Sequence, residues 1–208
     1  MGGNSVSQLD AVHLDALREI GNIGIGNALT SLAQLLGGKV TMGVPRATFL
    51  PLEEIIEGIG GYEELVSCVY MQVTGDVPGT VLFVFDERST YRLVDLLTGQ
   101  APGTTAGLDE MGASAVREVG NILSGAFVGA IETMTGLAVR TGVPMLGFDM
   151  LGAVLSTSVI AAGYTEDQVL LIETVMVREG GEEIRGHFFL LTQPEVLDRL
   201  FAALELGS

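Results

Sequence analysis

Apolar residues recur at helical spacing in two long stretches of the chain, and β-prone runs follow each of them. The first stretch predicts a helix over residues 10–36 that stops at Gly37-Gly38, a common end of helices. The second predicts a helix over residues 109–135, which Asp109 caps and Gly136 ends. The hydrophobic pattern is therefore organised around two long helices of similar length.

Strands and shorter helices fill the rest of both halves. Hairpin-like turns such as residues 74–79 join some of the predicted strands directly. The fold class predicted is therefore α+β with antiparallel strand pairing. The predicted strands cover residues 39–52, 65–73, 80–85, 169–177 and 186–192, and the predicted shorter helices cover 87–97, 150–161 and 195–204.

The two long helices belong to an internal duplication. Residues 15–45 and 114–144 align without a gap at an offset of 99, and twelve of the 31 positions are identical. We therefore expect a pseudo-two-fold arrangement. The chain, residues 1–208, is predicted to be a single domain made of two repeats, at about 10–99 and 108–206.

The segment over residues 18–27, REIGNIGIGN, raises the question of whether a glycine-rich backbone binds phosphate here. The second copy keeps Gly21 and Gly26 as glycines but replaces Gly24 with Leu123. No predicted strand precedes the segment and no Gly-Lys-Ser/Thr follows it, so a phosphate-binding loop fits poorly. We interpret these glycines as positions where another part of the chain packs closely, at a cost of about 1 kcal/mol each in helix propensity.

Three polar residues share one face of the first long helix. At 100° per residue, Asp15, Glu19 and Asn22 fall within about 60° of one another. The opposite side carries the predicted core stripe of this helix. The second copy repeats the polar geometry with Ser114, Glu118 and Asn121, and the predicted core stripe of the first consists of Leu17, Ile20, Gly24, Ala28 and Leu35.

An exposed acid and amide on an amphipathic helix are most often just a solvated face. Two features favour a function for these residues. Asparagine is a poor helix former, yet it stands in the middle of both long helices. The same three-point pattern also persists in halves that share only a minority of their residues. The polar face is therefore predicted to act on something outside this protein.

Composition narrows the choice of partner and compartment. The net charge is −16, from 26 acidic and 10 basic residues, which disfavours nucleic acid and anionic membranes and favours a basic protein partner. Cys68 is the single cysteine, and we interpret it as a small buried hydrophobe in a reducing compartment. No signal peptide is apparent, and Asp149 interrupts the apolar stretch 145–164. We expect a cytoplasmic protein without membrane insertion.

At the polar residues of the two helices the sequence resembles the CheC family of chemotaxis phosphatases, which is related to CheX and to the middle domains of the flagellar switch proteins FliY and FliM. The family pattern is Asp or Ser, three residues, Glu, two residues, Asn, twenty-two residues, Pro. Two intact copies in a stand-alone chain are most similar to the two-site CheC members. The copies are Asp15, Glu19, Asn22 and Pro45, and Ser114, Glu118, Asn121 and Pro144.

The resemblance implies hydrolysis of the aspartyl phosphate on the response regulator CheY. It implies that each Asn orients the attacking water and that each Glu meets a lysine of the receiver. Asp15 and Ser114 are implied secondary contacts with the substrate, whereas Pro45 and Pro144 are interpreted as shaping strand ends. No cofactor of the chain's own is implied, and Mg²⁺ is expected in the receiver. The implied catalytic residues are Glu19, Asn22, Glu118 and Asn121.

Two other interpretations compete with the phosphatase. The chain could act mainly as an adaptor that binds CheD, a receptor deamidase with which CheC-like proteins pair. An independent metal- or nucleotide-dependent enzyme is disfavoured, because His13 and His187 are isolated and neither has a counterpart in the repeat. Whether the two sites are equivalent stays open, since Asp15 and Ser114 differ in charge.

Overall fold

A computed structural model describes residues 11–164, 168–178 and 183–206. Within these residues six helices and eight strands alternate in the same order in both halves. In chain order they are α1 Ala11–Leu35, β1 Val40–Met42, β2 Arg46–Pro51, α2 Leu52–Ile59, β3 Leu65–Gly75, β4 Gly79–Asp86, α3 Glu87–Thr98, α4 Glu110–Thr135, β5 Val139–Thr141, β6 Met145–Met150, α5 Leu151–Ala161, β7 Gln168–Arg178, β8 Glu183–Leu191 and α6 Pro194–Leu206.

The strands form one antiparallel sheet with a pseudo-two-fold axis between β4 and β8. The main order is β1-β7-β8-β4-β3-β5, with β2 also paired to β7 and β6 to β3. Exchanging each strand with its equivalent in the other half reproduces the same order in reverse. At the centre of this arrangement Phe83 of β4 lies opposite Phe188 of β8. The predicted α+β class, antiparallel pairing and internal duplication are confirmed.

The two halves exchange strands across this axis. The first-half strands β1 and β2 pair with β7 of the second half, as in the register Ala47↔Ile172. The second-half strands β5 and β6 pair in the same way with β3, as in Leu146↔Val69. Each half therefore completes the sheet of the other, and the loops beside the two long helices are held by the opposite half.

Alternation along the strands divides the core into two layers. In β4, Val81, Phe83 and Phe85 point to one face of the sheet, and Leu82 and Val84 point to the other. Helices α1, α3, α4 and α6 cover the first face, while α2 and α5 cover the second.

Cys68 of β3 is fully buried in the second layer, as its interpretation as a small hydrophobe predicted. Burial raises the pKa of its thiol to about 12, so the reactive thiolate is disfavoured at neutral pH.

Helix α4 begins and ends where the sequence predicted, to within a residue, and α1 ends one residue before its predicted end, whereas its predicted start at residue 10 lies outside the described residues. The Asp109 carboxylate caps α4 by accepting a hydrogen bond from the Gly112 backbone N–H at 2.7 Å. Gly136 ends the same helix in a left-handed conformation, with φ of 68°. One predicted core position is wrong, because Leu35 is 37% exposed at the last residue of α1, where the helix ends and the chain turns. Leu32 fills the core in its place.

The predicted strand over residues 39–52 is also wrong in detail. It consists of two short strands, β1 and β2, separated by residues 43–45, and Leu52 already begins helix α2. Helix α2 was not predicted, although Ile55 and Ile56 of its apolar side are buried. The apolar stretch 145–164 holds β6 and α5, and none of the helices in the described ranges is long and apolar enough to cross a bilayer.

Candidate functional site

Helix α1 carries the predicted polar trio on its outer face. Asp15, Glu19 and Asn22 are all exposed, while Leu17 and Ile20 between them are buried against the sheet. The periodicity that buries one side of the helix therefore forces the acid and the amide outward. Because the apolar side is fixed in the core, the polar side chains rise from a rigid backbone.

One hydrogen bond within the trio and one from a neighbouring arginine orient its members. The Asn22 amide nitrogen Nδ2 donates to Glu19 Oε2 at 3.4 Å. This bond uses the amide NH₂ group. The amide oxygen is therefore left as an acceptor for a hydrogen bond from a water molecule. The Asp15 carboxylate oxygen Oδ1 accepts a charge-assisted hydrogen bond from Arg18 Nη1 at 2.7 Å.

Helix α4 presents the second copy of the trio. Ser114 and Glu118 are exposed and Asn121 is half-buried. Arg117 Nη2 donates to the Ser114 hydroxyl oxygen at 3.3 Å, as Arg18 does to its own partner in α1. In both helices an arginine three residues later therefore holds the first member of the trio.

These two arginines were missed as site residues by sequence reasoning. The signal was present, because Arg18 and Arg117 are identical at equivalent positions of the repeat. What the sequence did not show is that each guanidinium turns back toward the first member of its own trio.

Two glycines of α1 allow the close approach that the sequence predicted for them. A Cβ atom at Gly21 would lie 2.8 Å from Pro45 Cγ, and one at Gly24 would lie 3.1 Å from the Phe127 backbone Cα in α4. Real carbon contacts are rarely shorter than about 3.4 Å, the inner edge of ordinary van der Waals distance. These positions therefore bring the β1–β2 loop and helix α4 onto α1.

In the second copy Gly120 has the same role against a strand. A Cβ atom there would lie 2.5 Å from Val69 Cβ in β3. The glycines that precede Asn22 and Asn121 thus let α1 pack closely against the β1–β2 loop and α4 against β3. Close packing at these positions fixes where both asparagines stand.

For the remaining pair of repeated glycines the prediction of close packing is wrong. A Cβ atom at Gly26 or at Gly125 would meet nothing within 4 Å, apart from the helix's own backbone. Both residues are exposed. Neither is required by packing inside the part of the chain that the structure describes.

The two prolines of the motif, interpreted from the sequence as shaping strand ends, each lie directly before the first residue of a strand. Pro45 directly precedes β2 and is buried against Gly21 of α1. Its loop is tied to the opposite half by a hydrogen bond from the Gly43 N–H to the Val175 carbonyl at 2.8 Å.

The equivalent loop of the second half is anchored in the same way. The Gly142 N–H donates to the Gln72 carbonyl at 2.8 Å, and Pro144 precedes β6 but is half-buried. Pro45 therefore supports its site through the contact with Gly21, and both prolines lie in the loops that the opposite half anchors.

Other candidate chemistry has structural explanations. The ring of His13 stacks edge-on against Phe201 at a centroid distance of 4.5 Å. Asp86 caps α3 by accepting from the Ser89 N–H, and Asp76, in the turn after β3, accepts from the Ala138 N–H just before β5. Among the residues that the structure describes, no group of three His, Cys, Asp or Glu could hold a metal ion.

Known proteins match this chain in sequence over both repeats. The CheC-like family matches it twice, over residues 12–48 and 111–147, which are the segments that carry the two trios. The CheY-P phosphatase CheC of Bacillus subtilis strain 168 is 31% identical over 92% of this chain and 93% of its own length. The flagellar motor switch phosphatase FliY of the same organism is 29% identical over 62% of this chain, but this covers only 34% of FliY.

The fold has a counterpart among solved structures. The crystal structure of Thermotoga maritima FliY superposes with a TM-score of 0.80, covering 96% of this chain and 99% of that one at 20% identity. At 20% identity this structure shows a shared fold only. The CheC relative shows sequence similarity over nearly the whole chain. The chain therefore belongs to the CheC-like family.

Proposed function

We propose that this chain is a phosphatase that hydrolyses the aspartyl phosphate of phosphorylated CheY. The observation that carries the proposal is the outward-facing Glu–Asn pair, present once on α1 and once on α4 of a shared scaffold. The name of the 31%-identical relative, a CheY-P phosphatase, supports the same substrate.

The proposed reaction needs little from this chain beyond positioning. An acyl phosphate is already activated, and the receiver supplies it together with a bound Mg²⁺. A water oxygen forms a bond to phosphorus while the bond from phosphorus to the aspartyl oxygen breaks. The products are the free carboxylate and inorganic phosphate, which takes up the protons of the water. The missing part is a water held in line, and an amide oxygen can orient it.

In this mechanism the asparagines act on the water and the glutamates on the receiver. Asn22 and Asn121 would accept a hydrogen bond from the attacking water. Glu19 and Glu118 would pair with a lysine at the receiver's active site and set the docking register. The hydrogen bond between Asn22 and Glu19 supports a shared role, because docking through the carboxylate would place the amide beside the phosphoryl group.

The first test removes the amides. Replacing both asparagines, Asn22→Ala with Asn121→Ala, is expected to slow hydrolysis on the order of 10²-fold while receiver binding persists. Each single variant should leave the other site working. The decay of phosphorylated CheY is measured with each protein, together with binding of beryllofluoride-activated CheY.

The chain offers a matched control in Asn27. This residue is an exposed asparagine of α1 outside the polar face, and the second copy has Ala126 in its place. Asn27→Ala should therefore leave the decay rate unchanged. If the double variant at the motif asparagines hydrolyses CheY-P as fast as the wild type, the water-positioning role is wrong.

The adaptor interpretation makes a different prediction with the same proteins. If the chain mainly binds CheD, a pull-down should retain CheD with equal efficiency for the wild type and for the double asparagine variant. Addition of phosphorylated CheY to the pull-down tests whether the two partners influence one another. Failure to retain CheD under either condition removes this alternative.

A further inference from the structure

Gly26 and Gly125 are exposed glycines in the interior of long helices, and the fold gives no reason for them. Glycine costs about 1 kcal/mol relative to alanine at such a position. A Cβ atom at either residue would meet nothing within 4 Å, apart from the helix's own backbone. Both copies of the repeat nevertheless keep glycine here, although only twelve of the 31 aligned positions are identical.

Their position relates them to the proposed catalytic pair. Gly26 stands four residues after Asn22, at about 40° from it and about 20° from Glu19 around the helix axis. Side chains of a helix lean back over the turn that precedes their own Cα. A side chain at Gly26 would therefore lean toward Asn22, and one at Gly125 toward Asn121.

Exposed apolar residues mark the same face as a contact surface. Val12 is 64% exposed and its equivalent in the second copy, Met111, is 67% exposed. Val12 lies seven residues before Glu19, hence about 20° from it around the helix.

The loops beside the helices show the same recurrence. Val44 and Val143 are 80% and 82% exposed, and each precedes the motif proline of its copy. Pro45 packs on Gly21, the residue that precedes Asn22, and Val44 is the chain neighbour of Pro45. One exposed valine is ordinary, but exposure of an apolar residue at two equivalent pairs of positions indicates a partner surface.

We infer that Gly26 and Gly125 are clearance positions, which leave room for the receiver to bring its phosphoryl group onto Asn22 and Asn121. The inference rests on the proposed function and commits to one occupant, the receiver domain of phosphorylated CheY. The occupant follows from continuity: the glycines and the exposed apolar residues lie directly beside the Glu–Asn pair that would engage this partner.

The test is a series of side-chain sizes at the two glycines. Gly26→Ala with Gly125→Ala should raise the half-saturating concentration of CheY-P about threefold, and Gly26→Leu with Gly125→Leu about tenfold or more. Alanine and leucine are both good helix formers, so the melting temperature should rise or stay level in both proteins. Binding of beryllofluoride-activated CheY should weaken in the same order.

A matched control stands on the other side of the sheet. Gly58 is an exposed glycine of helix α2, and a Cβ atom at this residue would likewise meet nothing within 4 Å apart from the helix's own backbone. Gly58→Ala and Gly58→Leu should leave the kinetics of CheY-P decay unchanged. Wild-type kinetics in the leucine variant at Gly26 and Gly125 would overturn the clearance role.

Two further outcomes separate this inference from its alternatives. An equal loss with alanine and with leucine would point to backbone flexibility and would also overturn it. If the double asparagine variant loses hydrolysis while the leucine variant keeps both hydrolysis and binding, only the clearance role fails. If wild-type protein neither binds nor dephosphorylates CheY-P, the proposed function itself fails.

Discussion

Two alanine substitutions in the same helix should change stability in opposite directions. Gly120 and Gly125 are five residues apart in α4, and both would gain about 0.5–1 kcal/mol of helix propensity on replacement by alanine. Their surroundings differ. The Cβ of Gly120→Ala would lie 2.5 Å from Val69 Cβ, whereas that of Gly125→Ala would meet nothing within 4 Å.

The magnitude follows from this contact. Relieving it requires α4 and β3 to separate by roughly 1 Å at a fully buried point, and overpacking of this kind costs about 1–3 kcal/mol. After the gain in propensity, Gly120→Ala should destabilise the fold by about 1–2 kcal/mol. A chain of this length shifts its melting temperature by about 2–4 °C per kcal/mol. The expected shifts are about +1 to +4 °C for Gly125→Ala and about −2 to −8 °C for Gly120→Ala.

Thermal unfolding followed by helical circular dichroism, together with urea unfolding, measures both shifts. A third protein identifies the cause: in a double-mutant cycle, Val69→Ala should lower part of the cost of Gly120→Ala, because it removes Cγ1 and Cγ2, two of the three Val69 atoms that the new Cβ meets, and leaves Val69 Cβ in place. Stabilisation of equal size at Gly120 and Gly125 would refute the close packing of α4 on β3.

Two further predictions concern buried ionisable groups. Burial lowers the pKa of His187 to about 4. As the pH falls below about 6.5, this histidine is therefore protonated in the unfolded chain but not in the folded one. The free energy of unfolding should fall by on the order of 3 kcal/mol from pH 6.5 to 4. Urea titrations across this range should show a smaller loss for His187→Gln. The buried Asp95 carboxylate accepts hydrogen bonds from the Gly103 N–H and the Thr105 N–H and hydroxyl. Asp95→Asn should cost about 1–3 kcal/mol in urea unfolding and expose residues 100–107 to proteases.

The sequence was sufficient for the long helices because their signals are local. Apolar residues at helical spacing, the Asp109 cap and the glycines after each helix indicate where a helix begins and ends. Helix α2 was missed because its eight residues follow β2 without a turn, so that an apolar and β-prone run conceals the start. The exposed Glu53 and Glu54 beside the buried Ile55 and Ile56 were the available signal.

The pairing of strands between the halves could not be obtained from the sequence. The duplication predicts that a two-fold axis exists, but it does not say whether β2 pairs within its own half or with β7. That choice depends on long-range contacts such as Ala47↔Ile172, which no periodic pattern in the sequence indicates. Register between distant strands is set by the fit of whole surfaces rather than by any short pattern.

The polar face of the site was predicted, but the difference among its glycines was not. Periodicity alone places Glu19 and Asn22 outside and Leu17 inside, and the repeat singles out which polar residues persist. It treats Gly21 and Gly26 alike, because both persist. Only coordinates distinguish a glycine that touches Pro45 from one that faces open space.

Strand exchange has a consequence for how the two sites relate. The loop before β2 supports Asn22 from behind, and a bond from the Gly43 N–H to Val175 holds that loop to the second half. The loop before β6 is held in return to the first half through Gln72. A half on its own would lose the strand that anchors its site loop and would expose the edge of its longest strand. We therefore expect the two repeats to fold together as one domain, because neither site is complete on the half that carries its helix.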